Sequence, residues 1–239
     1  MSISQEQKIQ VPVITVDGPS GSGKGTLAKR VASGLGWHFL DSGALYRILA
    51  YLINQKNVDL SNIVEICHIA EKMEITFSQD ASGRDVIFME GDNIASLIRS
   101  EKIGGLASQV AVLPDVRQAL LVRQHCFQKP PGLVADGRDM GTVVFPFAQL
   151  KIFLIASAEV RAQRRVRQLE SMGLVADFNA VLEEIKLRDL RDRERAAAPL
   201  KAAIDAVVID SSFLTADKVL DHVLMLAHER NLPSFMRRK

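Results

Sequence analysis

Residues 15–30 read TVDGPSGSGKGTLAKR, an apolar run that turns glycine-rich and then helical. The stretch nearly spells the phosphate-binding loop G-x-x-x-x-G-K-[ST]. Gly18, Gly23 and Lys24 fit, but the eighth position is Gly25, where a Ser or Thr hydroxyl ordinarily meets Mg²⁺, and Thr26 comes one residue late. Context favours a working loop. Residues 11–16 (VPVITV) are short, β-branched and bounded by turn residues, which predicts a buried strand, and residues 24–35 predict a helix. Between them Gly18, Gly21, Gly23 and Gly25, interleaved with Pro19, Ser20 and Ser22, let successive backbone N–H groups curl around a phosphate. The helix N-terminus adds its positive end, and Lys24 can reach the β- and γ-phosphates. With no hydroxyl at Gly25, Mg²⁺ is expected to be held mostly by water and phosphate oxygens, which suit it, with Thr26 on an α-phosphate.

The pattern repeats along the chain. WHFLDSG (37–43) reads as a short strand, an Asp-Ser start signal and an apolar-periodic helix to about Tyr51. LVADGRDMG (133–141) is again an apolar strand followed by a charged loop. KIFLIAS (151–157) precedes a helix from Ala158, and AVVIDSS (206–212) precedes one from about Thr215 to Glu229. Five strands, each leading to a loop or helix, imply an α/β fold with a five-stranded parallel sheet flanked by helices. MEITFSQDASGRDVIFMEG (73–91) breaks the rhythm as two strands around a turn, a small β insertion.

Composition narrows the function. The 239 residues carry a net charge of +2 and 5% aromatics, which argues neither for nucleic-acid binding nor for a base-stacking platform. No apolar run reaches the ~18 residues of a membrane span. MSISQEQKIQ at the N-terminus lacks the apolar stretch of a signal peptide. Cys67 and Cys126 form no C-x-x-C pair and suit a reducing compartment. The expectation is a cytoplasmic monomer with no nucleic-acid or membrane partner.

Three further clusters admit two readings each. Asp41 and Ser42 stand at a strand end, where doubly wound folds bind ligands, with Arg47 on the following helix; Asp-Ser is also an ordinary helix cap. DGRDMG packs Asp136, Arg138 and Asp139 into one loop. Asp136 there matches a Walker-B position that orients Mg²⁺ through water and Arg138 a phosphate clamp, or the loop is a Gly-bounded charged turn. Phe178, Val181 and Ile185 form an apolar helix stripe that continues in phase as Arg188, Asp192 and Arg195, with Arg191 beside it. That stripe is either a solvated face with i,i+4 pairs or a helix overhanging a charged ligand, where convergent arginines serve transferring phosphoryl oxygens. Eight of the eighteen arginines lie within residues 161–195. The five histidines (38, 68, 125, 222 and 228) are scattered and fit no Ser-His-Asp or metal-ligand spacing. An acceptor that is itself a phosphate explains this, since its oxygen is mostly ionised at neutral pH and needs positioning rather than a strong base.

GPSGSGKGT, with Gly after the Lys, is the loop form of nucleoside monophosphate kinases. DSGALYR, ASQVA, VRQALLVRQ, GLVADGRDMGTVVFP and IKLRDLRDRERAAAPL together resemble the bacterial cytidylate kinases, over about Val11 to Arg230. The resemblance implies ATP-dependent phosphorylation of CMP or dCMP with Mg²⁺. It implies a core (11–69, 111–156, 198–230), an acceptor-binding insertion (70–110) and a helical lid (157–197). Ser108, Arg117 and Asp139 are similar to the cytosine readers. Arg47, Arg138 and Arg188 resemble the clamps on the acceptor phosphate. Asp192 with Arg188 resembles the ribose-contacting pair, Arg191 and Arg195 the lid residues for the transferring phosphate, and Arg164 a stacking partner of the donor adenine. The rivals are a kinase for AMP, UMP or shikimate, against which the cytosine-reading positions argue, and a P-loop GTPase switch, whose guanine-reading N-K-x-D is missing.

Overall fold

The computed structural model describes residues 11–79, 85–89, 91–171, 173–195 and 197–233. Backbone contacts divide it into two compact units: the described parts of 1–40, 127–189 and 201–239 form the first, and 41–126 with 190–200 the second.

The first unit is built on β1 (Val13–Asp17), β2 (His38–Asp41), β6 (Leu133–Gly137), β7 (Leu150–Ile155) and β8 (Val207–Asp210), in the order β2-β6-β1-β7-β8. Pairing is parallel, with Val13 against Leu133 and Ile14 against Leu150. β1 is buried at all five positions and β6 likewise, as expected of strands covered on both faces. β1 starts two residues later than the apolar run suggests. Pro12 stays outside it as a carbonyl acceptor for Leu133 N–H (2.9 Å), because proline cannot donate to the ladder. Helix α1 (Lys24–Leu35) and α8 (Ala216–Glu229) lay Leu27, Val31, Val219 and Val223 against Ile14, Val134, Ile152 and Ile209. Trp37 closes one end of this core: it is 7% exposed, and its indole N–H donates to the Pro233 carbonyl at 2.9 Å. A Cβ on Gly132 would lie 2.5 Å from Cε2 of that ring, so only glycine fits there. Helices α6 (Ala158–Ser171) and α7 (Phe178–Glu194) follow β7.

The second unit is mostly helical: α2 (Ser42–Gln55), α3 (Ile63–Lys72), α4 (Glu101–Val110) and α5 (Pro114–His125). α2 packs on α3 and α4, and α3 on α5, burying Ile48, Leu49, Ile53, Ile66, Ile69, Ile103 and Leu120. Arg123 of α5 donates to the carbonyls of Glu71 and Met73 and so caps the end of α3. α2 continues to Gln55, one turn past the expected stop at Tyr51, because Ile53 keeps the apolar period and stays buried. The β insertion is an antiparallel sheet of β3 (Thr76–Gln79), β4 (Asp85–Met89) and a two-residue β5 (Asp92–Asn93). The expected hairpin turn lies largely at residues 80–84, outside the described residues.

Candidate active site

The loop between β1 and α1 has the conformation its glycines permit. Gly21 (φ +78°) and Gly23 (φ +92°) are left-handed, where L side chains are strained. A Cβ on Gly18 would run into the Leu154 carbonyl oxygen. Gly23 is the N-cap of α1 and offers no side chain to its first-turn N–H groups, which suits a phosphate oxygen in that place. Ser22 Oγ is 1% exposed and has no hydrogen-bond partner among the described residues. A buried hydroxyl of that kind fits a bound phosphate oxygen. Lys24 Nζ donates to the Pro19 carbonyl at 3.2 Å and shares the electrostatic field of Asp17.

The misfit at Gly25 has a steric cause. A Cβ there would stand 3.0 Å from Oδ2 of Asp136, itself 7% exposed at the end of β6. The Asp136 carboxylate therefore crowds the space that a Ser or Thr side chain at position 25 would need. A hard oxygen ligand at that point fits Mg²⁺, directly or through water.

Asp17, the last residue of β1, ties this loop to the loop after β6. Its Oδ1 accepts from Met140 N–H and its Oδ2 from Gly141 N–H, both at 2.8 Å. Those amides open a single wide helical turn, Met140–Val144, whose N-cap is Asp139. Gly141 is needed there, because a Cβ would come 2.8 Å from Thr15 Oγ1 and 3.3 Å from Asp17 Oδ2. Burial pushes the Asp17 carboxyl up to about 7, against the two N–H bonds that lower it. Asp139 is 5% exposed and Arg138 half-buried.

Two arginines of α6 hold the donor loop by its carbonyls. Arg161 donates to Ser20 O at 3.0 Å, and Arg164 to Ser22 O at 3.3 Å and Ser211 O at 2.7 Å. Ser211 Oγ also donates to Ser22 O at 3.1 Å. Arg188, on α7, completes the expected site residues of the first unit and is half-buried.

The second unit holds Asp41, Ser42, Arg47, Ser108, Arg117, Arg191, Asp192 and Arg195. Asp41 caps α2, accepting from Ala44 N–H at 3.0 Å, and Ser42 is buried beside it. Packing of α2 on α4 brings Arg47 and Ser108 to a common residue. A Cβ on Gly104 would lie 3.0 Å from the Arg47 guanidinium, and Ser108 Oγ donates to Gly104 O at 3.1 Å. Arg47 also donates to Ile98 O at 2.9 Å, and Arg117 to Ala111 O at 3.2 Å. Asp192, 7% exposed, faces Arg195 at 3.7 Å and accepts Leu200 N–H at its carbonyl (2.8 Å). Arg191 is exposed. The stripe of α7 keeps its phase: Ile185, Arg188 and Asp192 are sheltered, while Leu187 and Leu190 are about half exposed.

Asp17, Arg161, Asp189 and Ser211 escape the sequence reading. Asp17 comes directly after the apolar run of residues 11–16, where a turn residue is unremarkable. Arg161 and Asp189 lie in a charge-rich segment where nothing marks a buried pair.

A five-stranded parallel sheet, a glycine loop from its central strand into a helix N-terminus, and arginines around that loop define a P-loop kinase. The cytidylate kinase family model matches residues 14–229, and the chain belongs to that family. The cytidylate kinase of Stutzerimonas stutzeri (strain A1501) is 54% identical over 93% of this chain and 97% of that protein. That of Aeromonas salmonicida (strain A449) is 51% identical over 92% and 95%. That of Pseudomonas syringae pv. tomato (strain DC3000) is 54% identical over 91% and 95%. Among the described residues no helix is long and apolar enough to cross a membrane.

Proposed function

We propose that this chain transfers the γ-phosphate of ATP to CMP or dCMP, giving ADP and CDP or dCDP. The observation that carries the proposal is Asp139. It is a buried carboxyl side chain at the N-cap of the Asp17-anchored turn, in the unit that also carries the phosphate loop. An ionised carboxylate can accept from the exocyclic amino group of cytosine but not from the carbonyl of uracil. Arg117 donates to the cytosine carbonyl or ring nitrogen, and Ser108 adds a hydroxyl.

Residues Gly18–Thr26 bind the ATP phosphates, with Arg164 against the adenine. Asp41, Ser42, Arg47, Arg138, Arg188 and Asp192 hold the acceptor. A CMP phosphate oxygen attacks the γ-phosphorus in line, the bond to the β-bridging oxygen breaks, and ADP leaves. The attacking oxygen is already ionised, so no general base is required. Lys24, Arg138, Arg188, Arg191 and Arg195 neutralise charge on the transferring oxygens, the dominant contribution in phosphoryl transfer. Asp136 would hold Mg²⁺, through water, and the ion would supply positive charge to the phosphate oxygens. Within this reading 70–110 is the acceptor-binding insertion, 157–197 is a lid that excludes water, and the protein is a cytoplasmic monomer without nucleic-acid or membrane partners.

The test is a coupled ADP-release assay over CMP, dCMP, UMP, AMP and shikimate. The expected result is a kcat/KM for CMP or dCMP at least ~100-fold above UMP and AMP, from a reversed hydrogen-bonding edge in a buried site. A better kcat/KM for AMP, UMP or shikimate overturns the proposal.

A further inference from the structure

The guanidinium of Arg161 is almost fully engaged. Its Nε donates to Ala156 O at 3.0 Å, and Nη1 donates both to Ser20 O (3.0 Å) and to Asp189 Oδ1 (2.9 Å). Nη2 donates to Asp189 Oδ2 at 2.5 Å. The pair is a bidentate fork, with Arg161 3% and Asp189 8% exposed. Gly21 is packed onto the stem: a Cβ there would stand 3.3 Å from Arg161 Cβ.

Two consequences meet at this residue. First, a trans planar peptide points its N–H opposite to its C=O. Holding the Ser20 carbonyl therefore aims the Gly21 N–H away from Arg161, as a phosphate cradle requires. Arg164 and Ser211 do the same for Gly23 through the Ser22 carbonyl. Second, Asp189 belongs to α7, the helix that also carries Arg188, Arg191 and Asp192. A buried fork is stiff, and breaking it leaves an uncompensated charge. The loop and α7 are thus held by one side chain.

We propose that Arg161 and Asp189 are positioning residues that orient the donor-phosphate loop and join it to α7, so that filling the loop with nucleotide alters binding of the acceptor. The acceptor half rests on the assignment of CMP above; the donor half does not.

Arg161→Lys keeps the charge and removes the fork. Asp189→Asn keeps the shape and weakens it. Calorimetry with a non-hydrolysable ATP analogue, alone and with CMP, reads both halves. The unaltered protein is expected to bind CMP at least ~5-fold more tightly with the analogue present, the lower end of usual coupling. Arg161→Lys is expected to weaken the analogue alone at least ~10-fold. Asp189→Asn is expected to bring the CMP coupling factor to within ~2-fold of 1, with CMP affinity in the absence of analogue unchanged within ~2-fold. A purely structural pair would lower the melting temperature and leave analogue affinity and coupling as in the parent; that outcome overturns the proposal. If Asp189→Asn does not fold, Asp189→Glu, which keeps the charge and displaces the fork by one methylene, takes its place under the same criteria. Absence of CMP binding to the unaltered protein overturns the acceptor assignment, and the Arg161→Lys result still judges the donor half.

Discussion

Replacing Gly25 by alanine sets two effects of opposite sign against each other. Gly25 is the second residue of α1, and alanine for glycine in a helix gains at most about 1 kcal/mol. The added Cβ would stand 3.0 Å from Asp136 Oδ2, roughly 0.4 Å inside ordinary contact. Asp136 is 7% exposed on a central strand, so its carboxylate has little room to retreat. Overpacking of this kind costs about 1–3 kcal/mol and outweighs the helix gain. The melting temperature should fall by a few degrees, at about 2–4 °C per kcal/mol for a chain of this size. A misplacement of about 1 Å at a reacting centre costs on the order of 100-fold. If Asp136 orients Mg²⁺ as proposed, a shift of ~0.4 Å there costs roughly 5- to 10-fold in kcat/KM for ATP. The assay is ADP release against Mg²⁺ concentration at saturating CMP, with KM for CMP as the control expected to stay within ~2-fold. Gly25→Ser decides the chemistry. If the Asp136 carboxylate replaces the usual loop hydroxyl, serine fails as alanine does. A serine variant with parental Mg²⁺ dependence, or an alanine variant with parental kinetics, would refute the reasoning.

Three other outcomes can be measured. Gly132→Ala drives a methyl to 2.5 Å from Cε2 of Trp37; the loss is at least ~2 kcal/mol, seen as a fall in melting temperature of roughly 5 °C or more. Asp17 has a folded-state pKa of about 7 against an ordinary 3.8. Below the lower value both states hold the proton; between the two the unfolded chain releases it while the folded chain keeps it. Stability from this group is therefore lost as pH rises from about 4 to 7, on the order of 4 kcal/mol, and the loss levels off above. The stability of the parent minus that of Asp17→Asn should fall over that window, and a flat difference from pH 4 to 8 contradicts the burial cause. Asp139→Asn substitutes an amide that can both donate and accept; the CMP-over-UMP ratio of kcat/KM should drop at least ~10-fold, and an unchanged ratio removes Asp139 from base reading.

Local signals carried the core of the fold into view. β1, the glycine loop and α1 were legible together because strand, turn and helix each have a residue signature over a few positions, and α1 begins and ends at the expected residues. The α7 stripe was legible for the same reason, since a period of 3.6 survives a change from apolar to charged side chains. Contacts between distant segments were not. Asp17 meets amides 123 and 124 residues away, and Arg161 meets Asp189 across 28; nothing local distinguishes these from solvated charges. β5 is two polar residues, Asp92 and Asn93, paired only because β4 lies alongside. The charged loop after β6 showed its residues, but not that its backbone amides would be claimed by an aspartate of another strand.

Trp37, packed on Gly132 in the first unit, is the chain's single tryptophan, and both tyrosines, Tyr46 and Tyr51, lie on α2 of the second. The two units therefore carry different natural fluorophores. Emission excited at the red edge of the spectrum reports the sheet core alone, while energy passed from tyrosine to tryptophan depends on the separation of the units. Without any label, the unmodified protein can be watched in solution as each nucleotide is added.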